Sequence, residues 1–386
     1  MEDNRYKINE KRLLDEFFKI LSIKSPTKKE GELALYLKNH LEKIGLEVFI
    51  DDTGNKINGE TGNLIAKFTP KFIKNNIPIF LCAHMDTVSI EGDIIPYISG
   101  NNIIKNKNTK TILGADDKAA ISSILEALKV INDFEIHTGI IYVVFTVGEE
   151  TGLLGSKNMD MSSIEADIGF VFDSDGDIGM IINRAPFHNR IDLKVIGKAS
   201  HAGVNPEKGI NSIKAAAYAI SNTFSGRVDE ETTCNIGKIN GGTETNVVPE
   251  ITIINAEARS VKESKLEAIT KQIVENFEKS VKEYNASLEY NIQREYDGYE
   301  INENEDAIVI AKNAIKKIGL KPILKSTGGG SDTNNYNSKG KIAVNLSSGY
   351  HNCHSNEEYI YFDELKKLTD LIINICILNE RQNIET

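Results

Sequence analysis

The sequence predicts an α/β fold: a mostly parallel sheet domain, split by an inserted ferredoxin-like α+β domain. Three observations lead there. Helical and strand patterns alternate from Leu13 to about Asp175. Around Ala185 the order changes to strand, helix, strand, strand, helix, strand. Patterns of the first kind return at Glu305. A chain of 386 residues also exceeds one ordinary core, since a domain averages about 150 residues. The expected boundaries are 1–184 and 297–386 for the split domain and 185–296 for the insertion.

The elements follow in order. Residues 30–44 place Leu33, Leu35, Leu37, Leu41 and Ile44 near helical spacing, and Gly45 follows as a stop signal. Residues 63–68 and 77–83 read as strands, the second a nearly continuous apolar run of the buried type. Residues 117–131 read as a helix with Ala120, Ile124, Ala127 and Leu128 on one face, and 139–147 and 168–172 as further strands. In the insertion, strands are expected at 190–196, 232–239, 250–258 and 287–293, and helices at 210–222 and 262–284. The first domain then resumes with helix 305–318, strand 342–347 and helix 362–378.

Composition narrows the function. The net charge of −11 and the lack of a basic run argue against nucleic acid and an anionic membrane surface. No segment approaches the roughly 20 apolar residues of a membrane span, and the N-terminal stretch has no signal-peptide core. Cys82, Cys234, Cys353 and Cys376 are scattered without a CxxC pair, which fits reduced thiols in the cytoplasm.

The chemistry lies at the ends of the apolar runs. Residues 79–83 lead into His84-Met85-Asp86, Leu113-Gly114 into Ala115-Asp116-Asp117, 143–148 into Glu149-Glu150, and 170–172 into Asp173-Ser174-Asp175. In open α/β sheets the carboxyl ends of the strands form the ligand crevice, so these groups are expected to converge. Each piece has a bland reading: a surface His-x-Asp, a solvated Glu-Glu turn, a helix cap at Asp116-Asp117, a turn at Asp173. All four after buried strands is harder to obtain by accident. Such a concentration of carboxylates needs a compensating cation. Imidazole and carboxylate without thiolate suit zinc or manganese in a hydrolytic site, and two ions bridged by one carboxylate would serve hydrolysis.

With these residues in view, the chain resembles the M20 zinc peptidases, the group of peptidase T, carboxypeptidase G2 and dipeptidase V, and is most similar to tripeptidase-type members. The matching stretches are AHMDTV, LGADDKAA, VVFTVGEETGLLGS, VFDSDG, ASHAGVNPEKGINSI, GGTETNVVPE, EARS, GGGSDTN and HSNEEYI, in family order over nearly the whole chain. The resemblance implies that His84, Asp116, Glu150, Asp173 and His354 hold two divalent ions per subunit, zinc by preference with manganese or cobalt accepted. Asp116 would bridge the ions through a residue joined to Asp117 by a cis peptide bond. Asp86 would hydrogen-bond the second ring nitrogen of His84, and Glu149 would act as general base on the metal-bridging water. The frame of the last motif fits His354 and not His351.

Further implications concern the inserted domain, read by resemblance as a lid. His201 would stabilise the oxyanion, often in the partner subunit's site. Asn246 and Arg259, with Gly329 and Gly330 of a glycine loop, would hold the substrate; an ion pair with Glu257 or Glu244 is the bland alternative for Arg259. His40, His137 and His188 fall outside the matching stretches and read as ordinary surface or core histidines, and Cys353 as a small buried residue. The implied protein is a cytoplasmic aminopeptidase acting on short peptides, tripeptides above all, dimeric through the lid. The rivals are an N-acyl-amino-acid deacylase using the same site and a catalytically silent binding or scaffold protein.

Overall fold

A computed structural model describes residues 6–73, 77–89 and 91–379; the first five residues of the N-terminal stretch read above lie outside it. The chain forms two compact units. The first comprises Met1–Asn183, Ile301–Ser326 and Ser331–Thr386, and the second Arg184–Glu300 with Thr327–Gly330.

The first unit is built on a mixed sheet. Its strands lie in the order Glu47–Ile50, Leu64–Phe68, Ile141–Thr146, Ile79–His84, Ile168–Ser174, Ile342–Ser347 and Met180–Ala185, the last also paired with Ile323–Ser326. Only the four central strands, Ile141–Thr146 to Ile342–Ser347, run parallel. Both flanks are antiparallel, so the expectation of a mostly parallel sheet holds for the centre alone. The reason is connection length. A parallel return needs a crossover of a dozen or more residues, and only 175–179 separate Ile168–Ser174 from Met180–Ala185, which therefore runs back antiparallel.

Alternation along the central strands buries both faces. On one, Leu81, Val143, Phe170 and Val344 pack with Leu37, Leu41, Ile124, Leu128, Ile308 and Ile372 of the long helices. On the other, Phe80, Cys82, Tyr142 and Val144 meet Met159 and Tyr336. Within helix Gly31–Lys43, Leu33, Leu37 and Leu41 are buried. Leu35 is 58% exposed, because a position two residues from Leu33 faces away from the core.

A second, small sheet was not legible in the sequence. It joins Tyr350–His351, Tyr359–Tyr361, Ile103–Asn106 and Pro96–Ser99, all antiparallel. Its strands have two to four residues, too few to show a period. It matters because it carries the loop containing His354.

The second unit is a smaller, β-rich insertion. Its antiparallel sheet has the order Gly226–Arg227, Thr232–Gly241, Ile251–Ser260, Phe187–Ile196 and Ser287–Tyr296. Helices Ser212–Ser221 and Glu263–Lys282 share its core, where Ile191, Leu193, Ile254, Ala256 and Ala258 meet Ala215, Leu266 and Phe277. No helix of the described residues is long and apolar enough to cross a membrane.

Strand Ile168–Ser174 passes against a fully buried Phe80, and a Cβ at Gly169 would lie 2.0 Å from that ring. Gly169→Ala is therefore expected to lose about 1–3 kcal/mol of stability in urea unfolding, whereas Gly100→Ala, with nothing within 4 Å, should be near neutral. Equal midpoints for the two variants would contradict this packing.

Candidate metal centre

The parallel strands deliver their acids to one end of the sheet. His84 closes Ile79–His84, Glu149 and Glu150 follow Ile141–Thr146, and Asp173 lies in Ile168–Ser174. Asp116 arrives differently. Leu113-Gly114 is not a strand, and Asp116 opens helix Ala115–Asp133 with φ −76° and ψ 105°, joined to Asp117 by a cis peptide bond. His354 comes from the loop between Tyr350–His351 and Tyr359–Tyr361, with φ of +60°.

Asp116 is the shared group. Its Oδ1 accepts from His84 Nε2 at 3.0 Å, while its Oδ2 lies 3.1 Å from His354 Nε2. Each imidazole has a second carboxylate beside it. His84 Nε2 is 3.7 Å from Asp173 Oδ1, and His354 Nε2 is 3.0 Å from Glu150. Two poles result, His84 with Asp173 and His354 with Glu150, and one carboxylate oxygen of Asp116 faces each. Ligand atoms of His84, Asp116 and Glu150 lie within 4.8 Å of one another, as do those of His84, Glu149 and Asp173. Cys353 Sγ comes equally near Asp116 and His354, so this thiol is closer to the site than a mere packing residue.

The ring of His84 is oriented from behind, though not by the group the resemblance implied. Nδ1 donates to the main-chain carbonyl of Asp86 at 2.9 Å, and the Asp86 carboxylate is 3.6 Å away. With Nδ1 as donor, Nε2 can offer its lone pair to a cation. The Asp86 carboxylate serves the neighbouring loop instead. It accepts from Glu149 N at 2.9 Å, Glu150 N at 3.2 Å and Thr27 Oγ1 at 2.7 Å. A side chain at the end of one strand thus fixes the backbone of the two glutamates after the next.

Other positioning groups escaped the sequence reading. Buried Glu358 accepts from Gly114 N at 2.7 Å and Asp116 N at 3.0 Å, holding the turn that presents Asp116. Asp173 is clamped by Asn345, which accepts from its N–H and donates to its carbonyl. Tyr350 Oη donates to Asp173 Oδ1 at 3.2 Å. The Glu358 of the HSNEEY stretch was a readable signal; the fold alone brings Asn345 and Tyr350 here.

The electrostatics show a surplus of buried negative charge. Burial, then the charge of Asp173, pushes Glu149 well above the usual carboxylate range. Burial lifts Asp173 to about 6 against the pull of His84. Burial also lifts Asp117, one of whose oxygens has no partner. Asp116 goes the other way, because hydrogen bonds from His354 and His84 outweigh its burial and hold it low. Bonds to Asp116 and Glu150 raise His354 to about 10. The buried carboxylates thus need positive charge beside them, which divalent cations could supply. The donor set is nitrogen and carboxylate oxygen at both poles, which fits such ions. This is a dinuclear metal-binding site of the two-metal hydrolase type.

All these ligands lie in the first unit. His201, Asn246, Arg259, Gly329 and Gly330 belong to the second. There, exposed His201 accepts at Nδ1 from Gly203 N at 3.1 Å, and Ala202 N donates to the Asn246 carbonyl. Arg259 Nη2 donates to Glu257 at 3.0 Å and Nη1 to the Gly328 carbonyl at 3.4 Å. Gly330 sits so close to Tyr296 that a Cβ would fall 2.3 Å from the ring. His351 lies away from the ligands, stacked on Tyr359 at 4.9 Å.

Comparison with known proteins agrees with this geometry. The description of peptidase family M20/M25/M40 matches residues 80–377. The chain is 41% identical over 368 residues to the uncharacterized protein YqjE of Bacillus subtilis, covering 95% of this chain and 98% of that one. Aminopeptidase PepT from Bacillus cereus superposes with a TM-score of 0.87 at 39% identity, covering 96% and 99% of the two chains. A tripeptidase from Staphylococcus aureus gives 0.91 at 35%, covering 97% and 100%.

Because Glu358 holds the Asp116 turn by two main-chain hydrogen bonds, Glu358→Gln is expected to weaken metal binding about 10–100-fold while leaving the circular dichroism spectrum intact. Zinc competition against a chromophoric chelator measures this. Unchanged affinity would show that Asp116 does not depend on Glu358.

Proposed function

Because the chain belongs to peptidase family M20/M25/M40 and is a metallopeptidase, we propose that it releases the N-terminal residue of short peptides, tripeptides being the preferred length. One observation carries the reading: the Asp116 carboxylate is shared between two imidazole–carboxylate poles, with Glu149 in reach of one of them. The names of its similar structures, an aminopeptidase and a tripeptidase, support the choice of bond and length.

His84, Asp173 and Asp116 would hold one ion and His354, Glu150 and Asp116 the other, zinc by preference, with manganese or cobalt accommodated. When bound, such ions supply a Lewis acid for the scissile carbonyl and lower the pKa of water. The remaining work falls to the chain. Glu149 takes the proton of the attacking water and returns it to the leaving amine. Its backbone is pinned by Asp86, so the carboxylate stays aimed while it changes protonation state. His201 faces the oxyanion. Its Nδ1 already accepts a main-chain N–H, so the neutral ring carries its proton on Nε2 as a donor. Arg259 takes the substrate carboxylate, and Asn246, Gly329 and Gly330 complete the contacts.

The second unit reads as a ferredoxin-like lid, from its βαββαβ order, that closes on the substrate and forms a homodimer. Four cysteines without a disulfide support residence in the cytoplasm.

A panel of di-, tri- and tetrapeptides, each free and N-acetylated, tests the reaction by mass spectrometry of the released amine. Free tripeptides should be cleaved, and acetylation or a chelator should stop cleavage. Cleavage of acetylated compounds alone would make the protein a deacylase. Glu149→Gln should lower kcat roughly 10²–10⁴-fold with zinc content unchanged. Normal turnover in that variant would remove Glu149 from its role.

A further inference from the structure

The second unit carries an organised polar corner that the metal chemistry does not use. In strand Ile251–Ser260, Ala256 and Ala258 point into the helix-covered core, so Glu257 and Arg259 stand on the opposite face. Arg259 is directly opposite His188 of the neighbouring strand, and His188 is opposite Tyr296 of the next. Directly paired residues share a face, with Cβ atoms about 4.5–5.5 Å apart. Arg259, His188 and Tyr296 therefore form a row across three strands at one end of the sheet, and Glu257 lies two residues from Arg259 on the same face.

The row is held in place. Glu257 Oε2 lies 3.0 Å from Arg259 Nη2 and 3.1 Å from His188 Nε2. The imidazole packs on the Tyr296 ring at 5.1 Å between centroids. Residues 327–330 close the side: the Gly328 carbonyl accepts from Arg259 Nη1, and Gly330 abuts Tyr296. Donors nevertheless remain unused. Arg259 Nε is buried without a hydrogen-bond partner, and neither ring nitrogen of His188 makes an aligned hydrogen bond, the contact to Glu257 included. Buried N–H donors left unpaired are costly, and in a fixed, partly closed corner they call for an acceptor from outside.

We propose that His188 shares with Arg259 the recognition of the substrate's terminal carboxylate, and that Glu257 is the positioning residue that fixes both. The inference rests on the reading of Arg259 as a carboxylate binder. The incoming carboxylate accepts from Arg259 Nε on one oxygen and from the His188 ring on the other. Glu257 occupies Nη2 and the Gly328 carbonyl Nη1, leaving Nε as the guanidinium donor for the ligand. His188 is thereby a specificity-determining residue.

The test is equilibrium binding to the full-length, metal-loaded protein carrying Glu149→Gln, by calorimetry, with one tripeptide as the free acid and as its C-terminal amide. The parent should favour the acid, and Arg259→Lys should erase most of that preference. His188→Asn and Glu257→Gln should each cut the acid-to-amide affinity ratio about 10-fold, the worth of one charge-assisted hydrogen bond, while affinity for the amide stays as in the parent. A structural role alone would weaken both peptides equally. If the parent binds acid and amide alike, or neither, the carboxylate reading of Arg259 fails and this inference with it. If the parent and Arg259→Lys behave as stated but neither His188→Asn nor Glu257→Gln moves the ratio, the inference alone is overturned.

Discussion

The Asp116 carboxylate has two oxygens and two imidazoles to serve, and the rest of the first unit is arranged so that it can. Its Oδ1 faces His84 at the end of a buried strand, and its Oδ2 faces His354 on a loop of the small sheet. Neither histidine is near it in sequence, so the meeting depends on the turn at residues 114–116. That turn is tied by Glu358, which accepts two of its main-chain N–H groups. Glu358 is itself buried, and burial pushes its carboxyl to about 7. An acid in such a place persists because it satisfies backbone donors that nothing else reaches.

The same device recurs around the site. Asp86 accepts from the amides of Glu149 and Glu150, and Glu30 from the amide of Gly148. Asp332 takes the hydroxyls of Thr146 and Ser156, just before and just after that loop. Three acids from three distant stretches thus converge on the segment that presents Glu149 and Glu150. Side-chain acceptors are suited to this work because the loop has left the sheet and lost its ladder partners. They also explain why so many carboxylates surround a site that uses only some of them for metal.

What the sequence revealed and what it concealed divide along physical lines. Long apolar runs announce buried strands, and a run that stops at His84, Glu149 or Asp173 marks the carboxyl end of one, so convergence was legible without the fold. Asp116 was placed correctly in the crevice for the wrong local reason, since residues 113–114 form no strand. The outer strands Glu47–Ile50 and Met180–Ala185 and the small sheet were illegible because strands of two to six residues with few turn signals look like loops, whereas the flanking strand Leu64–Phe68 was read at 63–68. Asp86 was identified as a partner of His84, but its carbonyl, not its carboxylate, makes the close contact. Sequence reports side chains and is silent about main-chain acceptors. The cross-strand row through His188 was illegible for a related reason: nothing in its local sequence sets it apart, and its neighbours Arg259 and Tyr296 lie 71 and 108 residues away, as 259 − 188 and 296 − 188 give.

The division of residues between the two units has a consequence for specificity. Every metal-ligand candidate and Glu149, the proposed base, belong to the first unit. The proposed substrate groups belong to the second, where His201 and Asn246 are exposed and Arg259 is only partly buried. Metal chemistry at the first unit is indifferent to what flanks the scissile bond, because it acts on the carbonyl and the water. Discrimination between peptides of different length must then come from groups whose distance from the reacting carbonyl is fixed when substrate is bound. The carboxylate seat proposed for the second unit would measure length by that distance, and a free terminal carboxylate at the wrong spacing would leave Arg259 Nε unpaired. The penalty for an unpaired buried donor is larger than the gain from one more apolar contact, so a corner with spare donors rejects substrates more sharply than it attracts them.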